Sequence, residues 1–246
     1  MIRLLLSALF PCVVLAPLMF AESASYERDT IKTTAGDVEI TFIAHGTLMI
    51  VWNDKTIHVD PYGKVADYRA LPAADLILIT HHHGDHLDPG AIESVSNDKT
   101  KIILTEKCAE TMKQGIVMKN GDVQHIMGIA VEAVPAYNLV HNRPDGSPFH
   151  PKGEGNGYVL TIGKTRIYVA GDTENTPEMK SLRNIDVAFL PMNLPYTMTP
   201  EMVADAAKAF KPKILYPYHY GKTDPSRLLD LLKGTKEIEI RVRKME

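Results

Sequence analysis

Thr80-His81-His82-His83-Gly84-Asp85-His86-Leu87 is the stretch on which the reading of this chain turns. Four imidazoles and a carboxylate fall within residues 81–86, in the pattern H-x-H-x-D-H. Nitrogen and oxygen donors in that mixture suit zinc and similar divalent ions. The competing reading is a solvated, histidine-rich surface loop, and the flanks argue against it. Upstream, Leu76-Ile77-Leu78-Ile79 is a continuous apolar run, which predicts a strand buried on both faces. Downstream, Asp88-Pro89 supplies an N-cap and a first-turn proline for a helix through about Val95. The cluster therefore sits on a tight loop between two rigid elements. Gly84 lets the backbone bend there, so neighbouring side chains can splay toward two points in space.

Working outward, residues 38–52 read as one long strand that turns at Asn53-Asp54 into Thr56–Val59 and stops at Asp60-Pro61. Beyond the cluster, a strand is predicted at Lys101–Thr105, a helix at Glu106–Gln114 and a strand at Ile129–Val134. Residues 135–157 are rich in Gly, Pro and Asn and read as a long loop, of a length that is often functional. Glu154-Gly155-Asn156-Gly157 reads as a turn closing it. A hairpin follows, Tyr158–Ile162 with Thr165–Ala170, then a buried strand at Asp186–Met192 and a helix from Thr199-Pro200 to Phe210. Ile214–Tyr218 is a strand ending at His219, Asp224-Pro225 starts a last helix closed by Gly234, and Glu237–Val242 alternates like an edge strand. Each half runs through hairpins and then strand and helix units. Two mixed sheets packed together with helices outside, an α/β four-layer αββα sandwich, accommodate that order.

The H-x-H-x-D-H segment resembles the signature of the metallo-β-lactamase superfamily. The resemblance implies that fold and two divalent ions, expected to be Zn2+. Carried onto this chain, it gives His81 and His83 to one ion, and Asp85 and His86 to the other. Asp172, in Ala170-Gly171-Asp172-Thr173 after a strand, fits the family's bridging carboxylate. His219 fits the histidine that completes the second ion. Ala44-His45-Gly46 and Val59-Asp60-Pro61 resemble the branch containing ascorbate-6-phosphate lactonase and N-acyl-phosphatidylethanolamine phospholipase D, where a histidine at the His45 position lies near the site. The likeness runs from about Glu39 to Gly221. It departs from the family at one point. A third histidine for the first ion is expected after a middle strand, and the chain has Val134-Pro135-Ala136-Tyr137-Asn138 there. His150 and His141 lie further along the same loop, and His150 is preferred because it leads into the next strand.

What the resemblance implies chemically is a metal-dependent hydrolase acting on a small molecule. A hydroxide shared by the ions would attack a lactone, another carbonyl ester or amide, or a phosphodiester. Asp172 would hold the ions and His45 would be the first candidate for protonating the leaving group, with Tyr196 and Lys152 behind it. His58 and His125 receive no role. Two other classes compete. A di-iron oxidoreductase branch carries glutamate at the second motif histidine, and here that residue is His83. A metal-binding protein of the same fold with little or no catalysis gains weight from Tyr137.

Composition narrows this further. A net charge of -3 gives no bulk attraction to nucleic-acid phosphates, so no nucleic-acid partner is expected. Arg3 is followed by an uncharged, largely apolar run to Phe20, with small residues at Ala21 and Ser23. That predicts an export signal over residues 1–23, a single domain over 24–246, and a periplasmic or secreted protein without a stable membrane span after cleavage. A membrane anchor is the other reading, weakened by Pro11 and Pro17. Loss of Cys12 would leave Cys108 as the sole cysteine and allow no internal disulfide. Cys108 reads as packing.

Overall fold

The computed structural model describes residues 26–246, so the signal predicted over residues 1–23 lies outside the described residues. The apolar run ahead of the histidine cluster forms strand β5 (Leu76–Leu78), and the reason for its uniform apolarity is visible in its surroundings. Leu76 and Leu78 face the core between two sheets, whereas Ile77 and Ile79 face a second cluster with Ile92, Val95, Leu104 and Cys108. Both faces are buried, so neither can be polar.

The first sheet has seven strands in the order of the chain: β1 (Glu27–Thr33), β2 (Gly36–Ala44), β3 (Thr47–Trp52), β4 (Lys55–Val59), β5, β6 (Lys101–Leu104) and β7 (Ile116–Val117). β1 to β4 are antiparallel and β4 to β7 are parallel. The second sheet, β8 (Val123–Ile126), β9 (Ile129–Ala136), β10 (Gly155–Ile162), β11 (Thr165–Val169), β12 (Val187–Pro191), β13 (Ile214–Tyr218) and β14 (Glu239–Ile240), repeats the plan, antiparallel to β11 and parallel beyond it. Helices α1 (Pro89–Val95) and α2 (Glu106–Met112) cover the outside of the first sheet. Helices α3 (Pro177–Ser181), α4 (Pro200–Phe210) and α5 (Ser226–Leu231) contribute Met179, Val203, Ala207 and Leu228 to the cluster that includes the second sheet. This is the αββα sandwich of the metallo-β-lactamase fold. Inside it, Phe189 and Tyr216 stack with centroids 5.0 Å apart, and Phe42 leans on Tyr216 from the other sheet. Among the described residues no helix is long and apolar enough to cross a membrane.

Several local expectations need correction. Residues 38–52 are two strands, because His45 takes a left-handed backbone (φ 55°) and, with Gly46, turns the chain so that Ala44 pairs with Thr47. A Cβ on Gly46 would come within 2.8 Å of His86 Cε1, which is why the turn residue is glycine. Gly155–Gly157 is strand, not turn. A Cβ on Gly157 would stand 2.7 Å from the Ala170 carbonyl oxygen, so the glycine serves close approach of neighbouring strands. The long loop is accordingly shorter, residues 137–154. The C-terminal alternation at 237–242 yields only the short β14. Strands β1, β7 and β8 and helix α3 were not expected from the sequence.

Candidate metal centre

Each proposed ligand leaves the scaffold at the end of a strand or on the loop between β9 and β10. His81 to His86 follow β5, Asp172 follows β11, His219 follows β13 and His150 precedes β10. His45 follows β2 and Asp60 follows β4. His45, Asp60 and His219 all have left-handed backbones, with φ of 55°, 46° and 47°. Such a conformation costs a non-glycine residue roughly 1–2 kcal/mol. Here it ends the strand and redirects the side chain into the site.

Two groups of donors result. His81, His83 and His150 present nitrogens that lie within 4.8 Å of one another. His45, Asp85, His86 and His219 form the second group at the same spacing. The carboxylate of Asp172 lies between them. Its Oδ2 is 3.2 Å from His150 Nε2 and 4.0 Å from His81 Nε2. Its Oδ1 is 3.5 Å from His86 Nε2 and 3.4 Å from His219 Nε2. The structure thus brings together His45, His81, His83, Asp85, His86, His150, Asp172 and His219. It takes His150, not His141, to His81 and His83. His141 Nδ1 lies 2.7 Å from Glu174 instead.

A second layer fixes which nitrogen of each ring faces inward. Asp60 is fully buried; its Oδ2 accepts from Thr80 Oγ1 (2.6 Å) and from His86 Nδ1 (2.8 Å), and its Oδ1 from the Thr80 amide (2.8 Å). With its own hydrogen directed at Asp60, Thr80 Oγ1 accepts from His81 Nδ1 at 3.0 Å. One carboxylate thereby leaves Nε2 of both His81 and His86 as the lone-pair atom. Asn138 Oδ1 does the same for His150, accepting from its Nδ1 at 2.6 Å. Asn138 is in turn held by Glu174, whose Oε1 accepts from Asn138 Nδ2 at 3.0 Å.

The electrostatics divide along the same line. Burial, reinforced by His86, keeps the pKa of His81 well below the usual imidazole value. Burial and His150 bring that of His83 to about 4, so both rings are neutral donors at pH 7. Burial opposes charge on His86, but Asp172 and Asp60 outweigh it and lift its pKa to about 10. Burial likewise resists ionisation of Asp172, and His219 and His86 overcome it, holding the carboxyl well below its ordinary value. Without an ion His86 is therefore protonated at both nitrogens, and a cation binding at its Nε2 would displace that proton and leave the one held by Asp60.

The donor set fits divalent ions on a separate ground. His86 Nε2, His150 Nε2, His219 Nε2 and Asp172 Oδ1 are buried and make no hydrogen bond among the described residues. Leaving such an atom unsatisfied costs about 1–3 kcal/mol, and four of them converge on one place. His81, His83 and His150 on one side, and Asp85, His86 and His219 on the other, would hold the ions.

The sequence profile of the Beta-lactamase superfamily domain matches residues 39–219. A UPF0173 metal-dependent hydrolase of Thermococcus onnurineus is 34% identical over 203 residues, covering 76% of this chain and 87% of its own. The chain belongs to the metallo-β-lactamase superfamily and to its UPF0173 family. A crystal structure from Parabacteroides distasonis, bearing the provisional name of metal-dependent hydrolase, is 48% identical with a TM-score of 0.86, over 90% of this chain and 100% of that one. Igni18, a metallo hydrolase of Ignicoccus hospitalis, shares 22% identity at a TM-score of 0.70, covering 85% of this chain and 96% of its own, which speaks for the fold alone.

Around the candidate donors of this UPF0173 chain lies an open cleft of about 490 Å³, lined among others by His45, Arg143, Phe149, Asn193 and Tyr196. Of the reserve proton donors, Tyr196 lines it and Lys152 does not. The Lys152 ammonium donates to Glu178 Oε1 (2.8 Å) and to the Tyr137 hydroxyl (3.2 Å). Tyr137, standing where the superfamily expects a histidine, donates to Glu178 and braces the loop. His58 is a core residue bonded to the Pro72 carbonyl oxygen, and His125 is exposed on β8. Asp60, Asn138, Asn193 and Glu174 received no site role from the sequence. Asp60-Pro61 read only as a strand end and a family likeness, and nothing in the loop composition singles out Asn138 or Glu174.

Proposed function

We propose that this chain is a hydrolase that works with two zinc ions on a small-molecule lactone, other ester, amide or phosphodiester. The observation that carries the reading is Asp172, whose two oxygens face different histidine groups. Zinc ions so held would acidify a bound water and polarise the oxygen of the bond to be cleaved. The chain's own residues supply the rest. Asp60, Thr80 and Asn138 keep Nε2 of His81, His86 and His150 free to bind. His45 Nε2 lies 3.0 Å from Asp85 Oδ2 and its ring lines the cleft. It steadies Asp85, and a proton on this nitrogen is placed for transfer to a leaving group. The non-catalytic alternative drew its weight from Tyr137; with His150 beside His81 and His83, the donor set has no gap. The likeness of Ala44-His45-Gly46 and Val59-Asp60-Pro61 to the lactonase-like branch is supported by the place of His45 and Asp60 at the site. Export through residues 1–23 and a periplasmic or secreted domain over 24–246 belong to the same proposal.

The test is zinc content together with hydrolysis of a lactone, a p-nitrophenyl ester and a p-nitrophenyl phosphodiester, with and without a chelator. Turnover of at least one that is lost on chelation and in Asp172→Ala, with less bound zinc in the variant, is the expected outcome. Turnover that survives chelation, or full activity in Asp172→Ala, overturns the proposal.

A further inference from the structure

Arg143 is a cation on the cleft wall that makes no salt bridge. It is exposed, and among the described residues no carboxylate oxygen comes within 4.0 Å of its nitrogens; Asp145, the acid whose charge it feels, turns its Oδ1 to the Ser147 amide (2.9 Å) and hydroxyl (2.6 Å) instead. It is nonetheless held in place. Nη2 donates to the Phe149 carbonyl oxygen at 3.3 Å, and the guanidinium carbon lies 5.2 Å from the centre of the Phe149 ring. The backbone beneath it is a closed turn, with the Arg143 amide donating to the Ser147 carbonyl oxygen (2.7 Å) and the Gly146 amide to that of Arg143 (2.9 Å). Four of the five N–H groups of an arginine so placed remain for a ligand, and their fork matches a carboxylate or phosphate. The nearby cation Lys152 is already satisfied by Glu178. So is Arg69, at the groove around residues 63–94, by Asp67.

Beside the guanidinium stands an apolar wall. Phe149 and Tyr196 meet edge to face with centroids 5.0 Å apart, and Tyr196 is 46% exposed. The wall is in register with the metal centre. Asn138 Nδ2 donates to the Tyr196 carbonyl oxygen at 2.9 Å, while Oδ1 of the same amide holds His150. Arg143, Phe149 and Tyr196 line the same cleft as His83, His150 and His219, so a ligand in it meets the rings, the guanidinium and the candidate metal centre together.

We propose that the cleft selects substrates with a carboxylate or phosphate remote from the bond cleaved, on an aromatic or flat apolar body, and that Arg143 is the receptor for that acid. This rests on the hydrolase reading above. Phe149 and Tyr196 take the apolar body, and Arg143 sets which end enters first. A neutral substrate of the same shape leaves the guanidinium unpaired and loses that orientation.

The experiment has two arms. Calorimetry on zinc-loaded protein measures benzoate against benzamide, for the wild type, Arg143→Ala and Arg143→Lys. Benzoate is expected to bind more tightly than benzamide to the wild type. Arg143→Ala should weaken benzoate about fivefold or more at unchanged zinc content and leave benzamide alone, and Arg143→Lys should recover part of the loss. Equal benzoate binding by the wild type and Arg143→Ala, or no preference of the wild type for benzoate over benzamide, overturns the inference. In the second arm, hydrolysis of 4-acetoxybenzoate is compared with that of its methyl ester. The wild type should prefer the acid, and Arg143→Ala should lose the preference through KM rather than kcat. Failure to cleave either ester, or any substrate of the earlier panel, would count against the hydrolase reading, while the calorimetric arm would still decide the role of Arg143.

Discussion

Glu174 offers the sharpest test of how the site is held. Its side chain is fully buried beside Asp172, and its carboxylate accepts from Asn138 Nδ2 (3.0 Å) and from the backbone amides of Leu139, Val140 and His141 (2.7, 2.7 and 2.8 Å). Through Asn138 it reaches His150. Glu174→Ala removes these four hydrogen bonds and the 2.7 Å approach of His141 Nδ1. Each hydrogen bond is worth about 1–3 kcal/mol when the freed donor stays dry. Leu139 and Val140 are exposed, so water can replace part of the loss, and the buried charge no longer needs desolvating. A net destabilisation of about 3 kcal/mol is expected, with Glu174→Gln, which keeps one acceptor oxygen, near 2 kcal/mol. Urea unfolding at fixed free zinc would measure it, since bound ion otherwise adds its own stabilisation. Zinc affinity of the group containing His150 should fall about tenfold or more, because Asn138 no longer orients that ring. The contribution is also pH-dependent. Burial resists ionisation of Glu174, but the Asn138 amide and the three backbone amides prevail and set its pKa below the ordinary 4.5. A lowered folded pKa means the contribution is complete above about pH 4.5 and fades as the pH falls through the folded value. The gap between wild type and Glu174→Gln should therefore close in acid. A loss under about 1 kcal/mol for Glu174→Ala, with unchanged zinc binding, would refute this reasoning.

Other consequences follow from the same geometry. His150→Ala should lower zinc content toward one ion per chain while His141→Ala leaves it unchanged, which metal analysis after dialysis would show. Asp60→Asn should weaken zinc binding by about 10–100-fold in competition titrations, because the tautomers of both His81 and His86 depend on that carboxylate. Gly46→Ala should weaken zinc binding and lower the melting temperature, since its Cβ would press on His86 Cε1 at 2.8 Å. Cys108 is fully buried and burial pushes its thiol up to about 11, so a thiol reagent should not label it in the native protein and should label it in guanidinium.

The parts of the fold that were legible are those where local chemistry and tertiary environment agree. Leu76–Leu78 is apolar on both sides because it has core on both sides. Asp88 caps α1 by accepting from the Gly90 and Ala91 amides, and Thr199 caps α4 through the Met202 amide. The histidine cluster was legible because H-x-H-x-D-H concentrates donors on one loop, and the structure brings those donors together. What was hidden depends on distant partners. His45-Gly46-Thr47 interrupts residues 38–52 too briefly to announce a turn, because the reversal rests on the left-handed backbone of His45 and on the close approach of Gly46 to His86. Gly155-Asn156-Gly157 has the composition of a turn, yet its glycines serve strand packing against Ala136 and Ala170. The ionic character of β1 hides its pairing with β2, and its Asp29 instead meets Arg241 and Arg243 from the far end of the chain. Asn138 and Glu174 reach the candidate donors only through His150, so no spacing in the sequence marks them.

Zinc-edge anomalous diffraction from crystals of the zinc-loaded protein bears most directly on the central claim. Two peaks about 3.5–4 Å apart are predicted, one beside His81 Nε2, His83 Nδ1 and His150 Nε2, the other beside Asp85, His86 Nε2 and His219 Nε2, with one Asp172 oxygen toward each. Zinc bound elsewhere on the chain, or an Asp172 carboxylate that touches neither ion, would contradict it.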